Sequence, residues 1–447
     1  MRKNLDIDPR YQCAAKKLAA QIYKTPEKGF YEETATKLFA DCLEELGLKV
    51  TRNIARTGCI ATVELGGSGP RIAIIAELDA IKCRTHPASG SDGYAHCCGH
   101  NLQVATMYML ASKLMEWKQE GSLCGTVDII GVPSEEYIDL SVKEELQQRG
   151  EIQYFGGKQE LIRKGYFDHV DIAMITHNMP ADYMGTNDVV IGGAGLGFSA
   201  KKVEFFGREA HAGMHPEEGV NALQAMVLAL NNINAIRDTF QEKHGVRVHY
   251  IMTNGGETVN VVPGYSSLEM HVRSKELNSL NQVSAKVNNC FQAASLAVGC
   301  DLSITESPGY LPGVVYQNIA ALCKQVSGEL VGENQVAYGF VAGAASDFGD
   351  VTQILTTLKI ATGGIAGSLH AKDFKLVDFE KACVLPAKVL GSTIWELLRD
   401  QGALGKKMVE ENKHNLTKDT YLQLLDQYSR KVKYHYMCPE VYHGADN

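Results

Sequence analysis

The stretch "GTVDIIGVPSEE", residues 125–136, is an apolar run of strand length that ends in two carboxylates. The stretch "VDIAMITHNMP", residues 170–180, repeats this pattern and carries His177 at its end. Helical sequence is expected at 102–118 and 158–165. Buried strands that alternate with helices predict an α/β fold, in which a mixed, largely parallel sheet lies between layers of helices.

A further strand pair lies upstream, in "CIATVELGGSGPRIAIIAELDA", residues 59–80. Its glycine-rich centre leads into a strand and not into a helix, so we interpret it as a turn and not as a phosphate-binding loop. The second strand ends close to Asp79. Ligands of such sheets bind beyond the carboxyl ends of the strands, where Asp79, Glu135, Glu136 and His177 are all expected.

The pattern changes at "GGAGLG", residues 192–197, which we interpret as a hinge because a strand follows it. The order of elements from there is β-α-β-β-α-β, which predicts an inserted ferredoxin-like α+β domain. We therefore divide the chain into a first part of the larger domain at 1–194, an inserted domain at 195–308, and the second part of the larger domain at 309–447. The charged tail, with an expected helix at 407–430, belongs to the last part.

Composition excludes several classes of partner. The chain has 447 residues and a net charge of −8, without a basic run, so neither nucleic acid nor an anionic membrane surface is an expected partner. No apolar stretch reaches the ~18 residues that span a bilayer, and the first residues lack the apolar core of a signal peptide. The twelve cysteines follow no disulfide framework. We therefore expect reduced thiols and a cytoplasmic protein.

The stretch "YAHCCGHNLQV", residues 94–104, is the strongest candidate for a metal site. Cys98 and His100 flank a flexible glycine, and thiolate with imidazole suits zinc or another late first-row metal such as nickel or cobalt. For this motif alone, a buried cysteine followed by a helix-start histidine is about as plausible as a ligand pair. A thioredoxin-type pair requires Cys-x-x-Cys, which the adjacent Cys97 and Cys98 do not provide.

Other candidates are individually weak. Glu135 and Glu136 point in different directions at a strand end, so one could bind a metal while the other acts as a base; a solvated carboxylate pair is the ordinary alternative. His177 and His370 each follow a strand or a glycine-rich turn, and Asp79 could be a ligand or could orient one. Their joint placement at the ends of one sheet favours a two-metal hydrolase over coincidence.

Six motifs occur together in one order: "AHCCGHN", "PSEE", "THNMP", "GREAHAGMHPEEGVNAL", "GGETVNVVP" and "GSLHAKDF". In this the chain resembles the aminoacylase and carboxypeptidase-G-like dinuclear metallo-amidohydrolases, in the branch of N-acyl-amino-acid and auxin-conjugate hydrolases, from about residue 9 to residue 398. The resemblance implies a metallo-exopeptidase-like fold and two divalent metal ions per chain, zinc first, with manganese, nickel and cobalt as alternatives. The implied general base is Glu135, and the implied metal ligands are Cys98 as the bridging residue, His100, Glu136, His177 and His370.

The resemblance also assigns residues in the inserted domain. Asn260 and Arg273 are implied to hold the substrate carboxylate, and His211 is implied to contact the developing oxyanion, often in the partner subunit's active site. The resemblance therefore implies that this domain acts as a lid and forms a homodimer. The implied reaction is hydrolysis of the amide bond of an N-acyl amino acid, an aminobenzoyl-glutamate-like conjugate or a dipeptide.

Three positions depart from much of the branch. Asn101 replaces an aspartate, and "ELDAIK" places Glu77 and Lys82 at atypical positions. With asparagine at position 101, the chain is more similar to the subgroup of aminobenzoyl-glutamate hydrolase subunits and aminoacylase-1-like dipeptidases. Two other functions stay open: a catalytically silent metal-binding scaffold on the same fold, and a redox role for Cys97 and Cys98. Retention of Glu135 argues against the scaffold, because a scaffold does not need an unligated base.

Overall fold

The computed structural model describes residues 5–339 and 343–436. The chain divides into two compact units. Unit 1 comprises Met1–Gly195 and Gly313–Tyr421, and unit 2 comprises Leu196–Pro312 and Leu422–Asn447. The sequence places the inserted domain at 195–308, and these boundaries stay a prediction.

The elements are numbered here in chain order. The helices are α1 Pro9–Lys24, α2 Glu33–Glu45, α3 His100–Glu120, α4 Leu140–Gln148, α5 Gly157–Arg163, α6 Ala181–Met184, α7 Ala222–Ala235, α8 Leu277–Val298, α9 Gln317–Val331, α10 Phe348–Ile354, α11 Leu385–Leu398, α12 Ala403–Glu411 and α13 Lys418–Tyr428. The strands are β1 Val50–Ile54, β2 Gly58–Gly66, β3 Arg71–Glu77, β4 Ile81–Lys82, β5 Tyr94–Ala95, β6 Gly125–Val132, β7 Ile172–Asn178, β8 Val189–Gly192, β9 Gly197–Phe206, β10 Arg247–Asn254, β11 Tyr265–Ser274, β12 Asp301–Pro308, β13 Val336–Gly339, β14 Thr356–Thr362, β15 Ile365–Ala366, β16 Lys375–Leu376 and β17 Arg430–Tyr434.

Unit 1 is built on an eight-stranded sheet in the order β1-β2-β6-β3-β7-β14-β8-β13. The central strands β6, β3, β7 and β14 pair in parallel, whereas β1, β2 and β6 are joined antiparallel. Their apolar runs, such as Arg71–Glu77, are buried along almost their whole length because helices flank the sheet. The predicted fold class is confirmed for this unit.

Helix α3 is the central helix of unit 1. It begins at His100 directly after Gly99, whose φ of 92° lies in the left-handed region that favours glycine, and it ends at Gly121 with φ 62°. Most of its residues are buried, so its first turn is rigidly held against the sheet. Within the two described ranges, no helix is long and apolar enough to cross a bilayer.

Unit 2 contains a five-stranded antiparallel sheet in the order β10-β11-β9-β12-β17. The alternate residues Leu268, Met270 and Val272 of β11 enter a core that they share with α7 and α8. The order β9-α7-β10-β11-α8-β12 is the predicted ferredoxin-like arrangement, so the prediction of an inserted α+β domain is confirmed.

The C-terminal segment differs from the expected helix at 407–430. Helix α12 ends at Glu411, and α13 begins only at Lys418. The second helix starts there because the Thr417 hydroxyl accepts a hydrogen bond of 3.2 Å from the Thr420 N–H, which caps the new helix. The chain then forms β17, which pairs antiparallel with β12 and adds a fifth strand to the sheet of unit 2.

Candidate metal centre

The predicted ligands of unit 1 come from the ends of neighbouring strands and from the start of α3. Asp79 follows β3, the pair Glu135 and Glu136 follows β6, and His177 is the second-last residue of β7. Because β3 lies between β6 and β7 and is parallel to both, the three carboxyl ends share one edge of the sheet. His100, the first residue of α3, reaches the same edge.

The Cys98 thiol lies at the middle of the candidate centre. Its Sγ is 3.5 Å from Nε2 of His177 and 3.2 Å from Nε2 of His370, and the same His370 atom is 3.1 Å from Oε1 of Glu136. Two groups of donor atoms therefore share the thiol: Cys98 with His100 and His177, and Cys98 with Glu136 and His370, each within 4.8 Å. The structure thus brings all five predicted ligands together, and a shared thiol is the arrangement that a bridging ligand requires.

The donor atoms fit a pair of divalent metal ions. Nε2 of His100 and Oε1 of Glu136 are buried and have no hydrogen-bond partner among the described residues, although each has an oppositely charged neighbour. An unsatisfied buried imidazole or carboxylate atom is costly, and binding a metal removes that cost. One thiolate, three imidazoles and one carboxylate form the mixed soft and hard donor set that late first-row ions prefer.

Asp79 orients two of the candidate ligands. Nδ1 of His100 bonds the Asp79 carbonyl at 2.9 Å and the Asp79 carboxylate at 3.2 Å, which leaves Nε2 of the ring for the centre. The other carboxylate oxygen of Asp79 accepts the backbone N–H of Glu136 at 2.9 Å. These contacts fit an orienting role for Asp79 better than a ligand role.

Burial and charged neighbours shift the pKa values of the side chains in the candidate centre. Burial alone would raise the pKa of the Cys98 thiol, but His100 and His177 lower it well below its usual range. Burial alone would lower the pKa of His370, but Cys98 and Glu136 raise it to about 11. Burial, followed by the neighbouring thiolate, raises the pKa of Glu136 to about 7. Metal ions would replace the protons on these rings, so metal binding should release protons.

Glu135 has different surroundings from its neighbour Glu136. A carboxylate oxygen of Glu135 is within 4.8 Å of ligand atoms of His100 and Glu136, and Glu135 forms a second such group with carboxylate oxygens of Glu77 and Asp347. Burial raises the pKa of Glu135 well above its usual range, and Glu77 and Glu136 add to the rise. A carboxylate with a raised pKa beside a metal centre is suited to accept and return a proton.

The backbone that presents these carboxylates is strained. Ser134 has φ 52° and His370 has φ 62°, in the left-handed region that non-glycine residues rarely adopt. The fully buried Glu32 accepts the Ser134 N–H at 2.7 Å and thereby fixes the turn that precedes Glu135. Strain of this kind persists where surrounding contacts hold it, and it is concentrated at functional sites.

Gly157 gives a test of how tightly this turn is packed. A Cβ atom at Gly157 would lie 1.7 Å from the Pro133 carbonyl oxygen, two residues before Glu135. We therefore expect Gly157→Ala to lower the free energy of unfolding by about 3 kcal/mol and to reduce turnover, because the turn must move. The matched control is Gly363→Ala, whose Cβ would meet nothing closer than Met184 Cγ at 4.0 Å. Urea unfolding of both variants checks the expectation, and equal stabilities would contradict the packing described here.

Two of the predicted residues of unit 2 lie on adjoining segments. His211 forms an isolated bridge with Val261, the residue that follows Asn260, and the side chains of His211 and Asn260 are exposed. Nδ1 of His211 accepts the N–H groups of Gly213 at 3.2 Å and Met214 at 3.1 Å. These bonds place the ring proton on Nε2, which makes Nε2 a hydrogen-bond donor.

Arg273, the third predicted residue of unit 2, lies near the end of β11. Its Nε donates to Nε2 of His249 at 3.1 Å, and its guanidinium lies 5.2 Å from the centre of the Phe198 ring. Burial, followed by the nearby Arg247, lowers the pKa of Arg273. Among the ion pairs of the described residues, none joins Arg273 to a carboxylate. A half-buried guanidinium of this kind is a suitable partner for an anionic ligand.

The sequence does not reveal several residues that surround the centre. Lys143 donates from Nζ to the Glu136 carbonyl at 2.7 Å, and Lys158 bonds Glu77 and Asp347. Lysines in helical sequence are ordinarily exposed, so no local pattern predicts that these two are buried. The atypical Glu77 is the one signal, because a buried carboxylate requires a partner.

Asn101 and Lys82, the two other positions that depart from much of the branch, have simpler surroundings. The side-chain amide of Asn101 in α3 donates to the Ala19 carbonyl of α1 at 3.2 Å. The Lys82 ammonium is 3.5 Å from the Asp139 carboxylate, and both side chains are partly exposed.

Comparison with known proteins gives a family match in unit 2. The M20 peptidase dimerisation domain matches residues 197–298. This range covers β9 to the end of α8 and lies within the segment 195–308 that the sequence predicts to dimerise.

Curated relatives match a larger part of the chain. The Xaa-Arg dipeptidase of Mus musculus is 30% identical over 299 residues, which are 64% of this chain and 60% of the relative. A p-aminobenzoyl-glutamate hydrolase subunit of Escherichia coli K12 is 29% identical over 315 residues, which are 67% of this chain and 60% of the relative. The chain therefore matches about 60% of the length of these two relatives.

Solved structures share the fold. A dinuclear metal binding peptidase of the M20 family from Bacillus subtilis superimposes with a TM-score of 0.67 at 18% identity. The superposition covers 88% of this chain and 99% of that chain. An aminobenzoyl-glutamate utilization protein from Klebsiella pneumoniae gives a TM-score of 0.63 at 17% identity, over 87% of this chain and 96% of that chain.

Proposed function

We propose that the chain is a metal-dependent amidohydrolase of the M20 peptidase family, to whose dimerisation domain and members it is similar. The proposed substrates are N-acyl amino acids, aminobenzoyl-glutamate-like conjugates or dipeptides. The observation that carries the proposal is the pair of donor groups that share the Cys98 thiol, with the Glu135 carboxylate beside them. Metal storage or a scaffold role would need the donor groups but not a second carboxylate with a raised pKa.

Two divalent ions are proposed to bind through Cys98, His100, Glu136, His177 and His370, with zinc first and manganese, nickel or cobalt as alternatives. When bound, the ions supply Lewis acidity that acidifies a water molecule and polarises the scissile carbonyl. Asp79 holds His100 and the Glu136 backbone in position for them.

The proton transfers are assigned to Glu135. Its carboxylate takes a proton from the attacking water and delivers it to the nitrogen of the leaving amine. Burial and the neighbouring carboxylates raise the pKa of Glu135 well above its usual range, which makes its carboxylate a stronger base. The buried position limits exchange of that proton with bulk water.

Substrate binding is assigned to unit 2. The Arg273 guanidinium pairs with the substrate carboxylate, and the Asn260 amide holds its orientation. Nε2–H of His211 donates to the oxyanion of the tetrahedral intermediate. We further propose that unit 2 forms a homodimer and that His211 serves the partner subunit's metal site.

We propose a cytoplasmic location from the state of the cysteines. The eleven cysteines of the described residues are free thiols, which are usual in the cytoplasm. The redox alternative for Cys97 and Cys98 receives no support from this arrangement, because Cys98 is placed among the candidate ligands.

The test is a panel of amides offered to the metal-loaded protein. The panel contains N-acetyl and N-benzoyl amino acids, p-aminobenzoyl-glutamate, and dipeptides with acidic, basic and apolar C-terminal residues. Release of free amine is measured, with the Glu135→Gln variant as the blank. We expect at least one class to be hydrolysed by the wild type and not by the blank. No hydrolysis of any member would refute the proposed function, and equal rates in both proteins would refute the role assigned to Glu135.

A further inference from the structure

Lys158 is a fully buried lysine next to the candidate metal centre. It lies in the first turn of α5, and its side chain is 0% exposed. Its Nζ is 2.7 Å from Oε1 of Glu77 and 2.5 Å from Oδ1 of Asp347. Its backbone N–H also donates to Oδ2 of Asp347, at 2.9 Å. The ammonium is thus clamped between two buried carboxylates.

A third carboxylate completes the surroundings of this ammonium. Oxygen atoms of Glu77, Asp347 and Glu135 lie within 4.8 Å of one another. Three carboxylate oxygens at this spacing are the ligand set of a hard divalent cation such as Mn²⁺ or Mg²⁺. In this chain, however, a lysine ammonium is already bonded to two of the three.

The charges of the cluster depend on one another. Burial alone would lower the pKa of Lys158, but Asp347, Glu77 and Glu135 raise it, so the lysine remains charged. Three buried carboxylates without a cation would be strongly unfavourable.

We propose that the Lys158 ammonium occupies the cation position of a third metal-binding site, formed by the carboxylates of Glu77, Asp347 and Glu135. The ammonium thereby keeps a third divalent ion from binding Glu135. Lys158 is in this sense a positioning residue, because it acts on the general base and not on the substrate. The part that concerns Glu135 as a base rests on the proposed function. The occupancy of the cation position does not.

The cluster is also connected to the metal ligands. Oε2 of Glu77 is 3.3 Å from Nε2 of His100, and the Gln103 amide donates to the same oxygen at 2.7 Å. Glu77 is therefore shared between the ammonium and a ligand of the dinuclear centre. A divalent ion at the position of Nζ would compete for Glu77 and would bind Glu135 directly. The fixed monovalent cation satisfies the carboxylates and leaves Glu135 available for proton transfer.

The variant Lys158→Ala tests this inference, because it removes the ammonium and leaves space at its position. Metal-free protein is titrated with Mn²⁺, and bound metal per chain is measured by mass spectrometry after removal of free ions. We expect Lys158→Ala to bind one more ion per chain than the wild type under the same conditions. Its melting temperature should continue to rise with Mn²⁺ after that of the wild type has levelled off, because the extra ion binds the folded state.

Two controls separate the inference from loss of a buried ion pair. Lys158→Ala/Asp347→Asn removes one of the three carboxylates and should bind the wild-type number of ions. Lys201→Ala removes another buried lysine, which pairs with Glu306 in unit 2 and bonds Ser284 at 2.7 Å. Among the described residues, no group of three candidate metal-binding side chains surrounds Lys201. We therefore expect Lys201→Ala to bind no additional ion.

Turnover gives a second readout. In Mn²⁺-saturated Lys158→Ala we expect kcat to fall by about 10²-fold while KM changes little, because Glu135 becomes a ligand and loses its role as a base. If Lys158→Ala does not fold in the absence of metal, the inference requires that added Mn²⁺ restore folding. A folded Lys158→Ala with the wild-type number of ions contradicts the inference, and so does a failure of Mn²⁺ to restore folding. Neither result depends on whether the protein is a hydrolase.

Discussion

Glu135→Gln is expected to reduce kcat by about 10³-fold, while the protein retains the metal content of the wild type. Glutamine has nearly the same size and can keep the packing of the buried side chain, but it cannot accept a proton from water. The rate constants are measured at saturating metal with the best substrate of the amide panel, and bound metal is measured on the same samples.

The neighbouring Glu136→Gln variant is the matched control. Oε1 of Glu136 is 3.1 Å from Nε2 of His370 within one of the donor groups, so its loss should weaken metal binding. We therefore expect reduced metal content in Glu136→Gln and partial recovery of its activity at high metal concentration. If both variants lose metal equally, or if Glu135→Gln remains fully active, the two glutamates have been assigned the wrong roles.

His211→Ala is expected to reduce kcat by about 10²-fold or more, the usual effect of removing an oxyanion donor. The two backbone N–H groups that bond Nδ1 hold the ring proton on Nε2, so the histidine is prepared to donate. His215 in the same loop is the control. It is exposed and pairs with Glu217, and His215→Ala should leave turnover unchanged.

A mixed dimer tests whether His211 acts on the partner subunit. One subunit carries His211→Ala with an intact metal centre, and the other carries Glu135→Gln with an intact His211. If His211 acts across the interface, each heterodimer contains one complete site and should recover about half of the wild-type activity, by the symmetry of a two-fold dimer. Verified subunit exchange without recovery of activity would show that His211 acts within its own chain or is not required.

The candidate ligands were predictable from the sequence because polar residues at the ends of apolar strands are exceptional. Glu136 after β6 and His177 at the end of β7 share a sheet edge as expected, since parallel strands align their carboxyl ends. The inserted unit was also predictable, because its six elements alternate with clear periodicity. In both cases local pattern and tertiary environment agree.

The residues that were not predictable depend on contacts between distant parts of the chain. Lys158 and Asp347 are 189 positions apart, and each alone resembles an ordinary surface residue. The left-handed backbone of His370 is likewise set by its surroundings, because its N–H donates to the Cys97 carbonyl at 2.8 Å. Strand β17 follows a helix in a charged segment, and it becomes a strand only because β12 offers a free edge.

Titration of the metal-free protein with Zn²⁺ or Mn²⁺, with hydrolysis and bound metal measured at each step, is the most direct test of a dinuclear hydrolase. The predicted result is no turnover without metal and a rate that rises until about two ions are bound per chain, the stoichiometry of a two-metal site. In Cys98→Ser, which weakens the ligand shared by both donor groups, the same curve should shift to higher metal concentration. Hydrolysis by the metal-free protein at the rate of the loaded one would contradict the account.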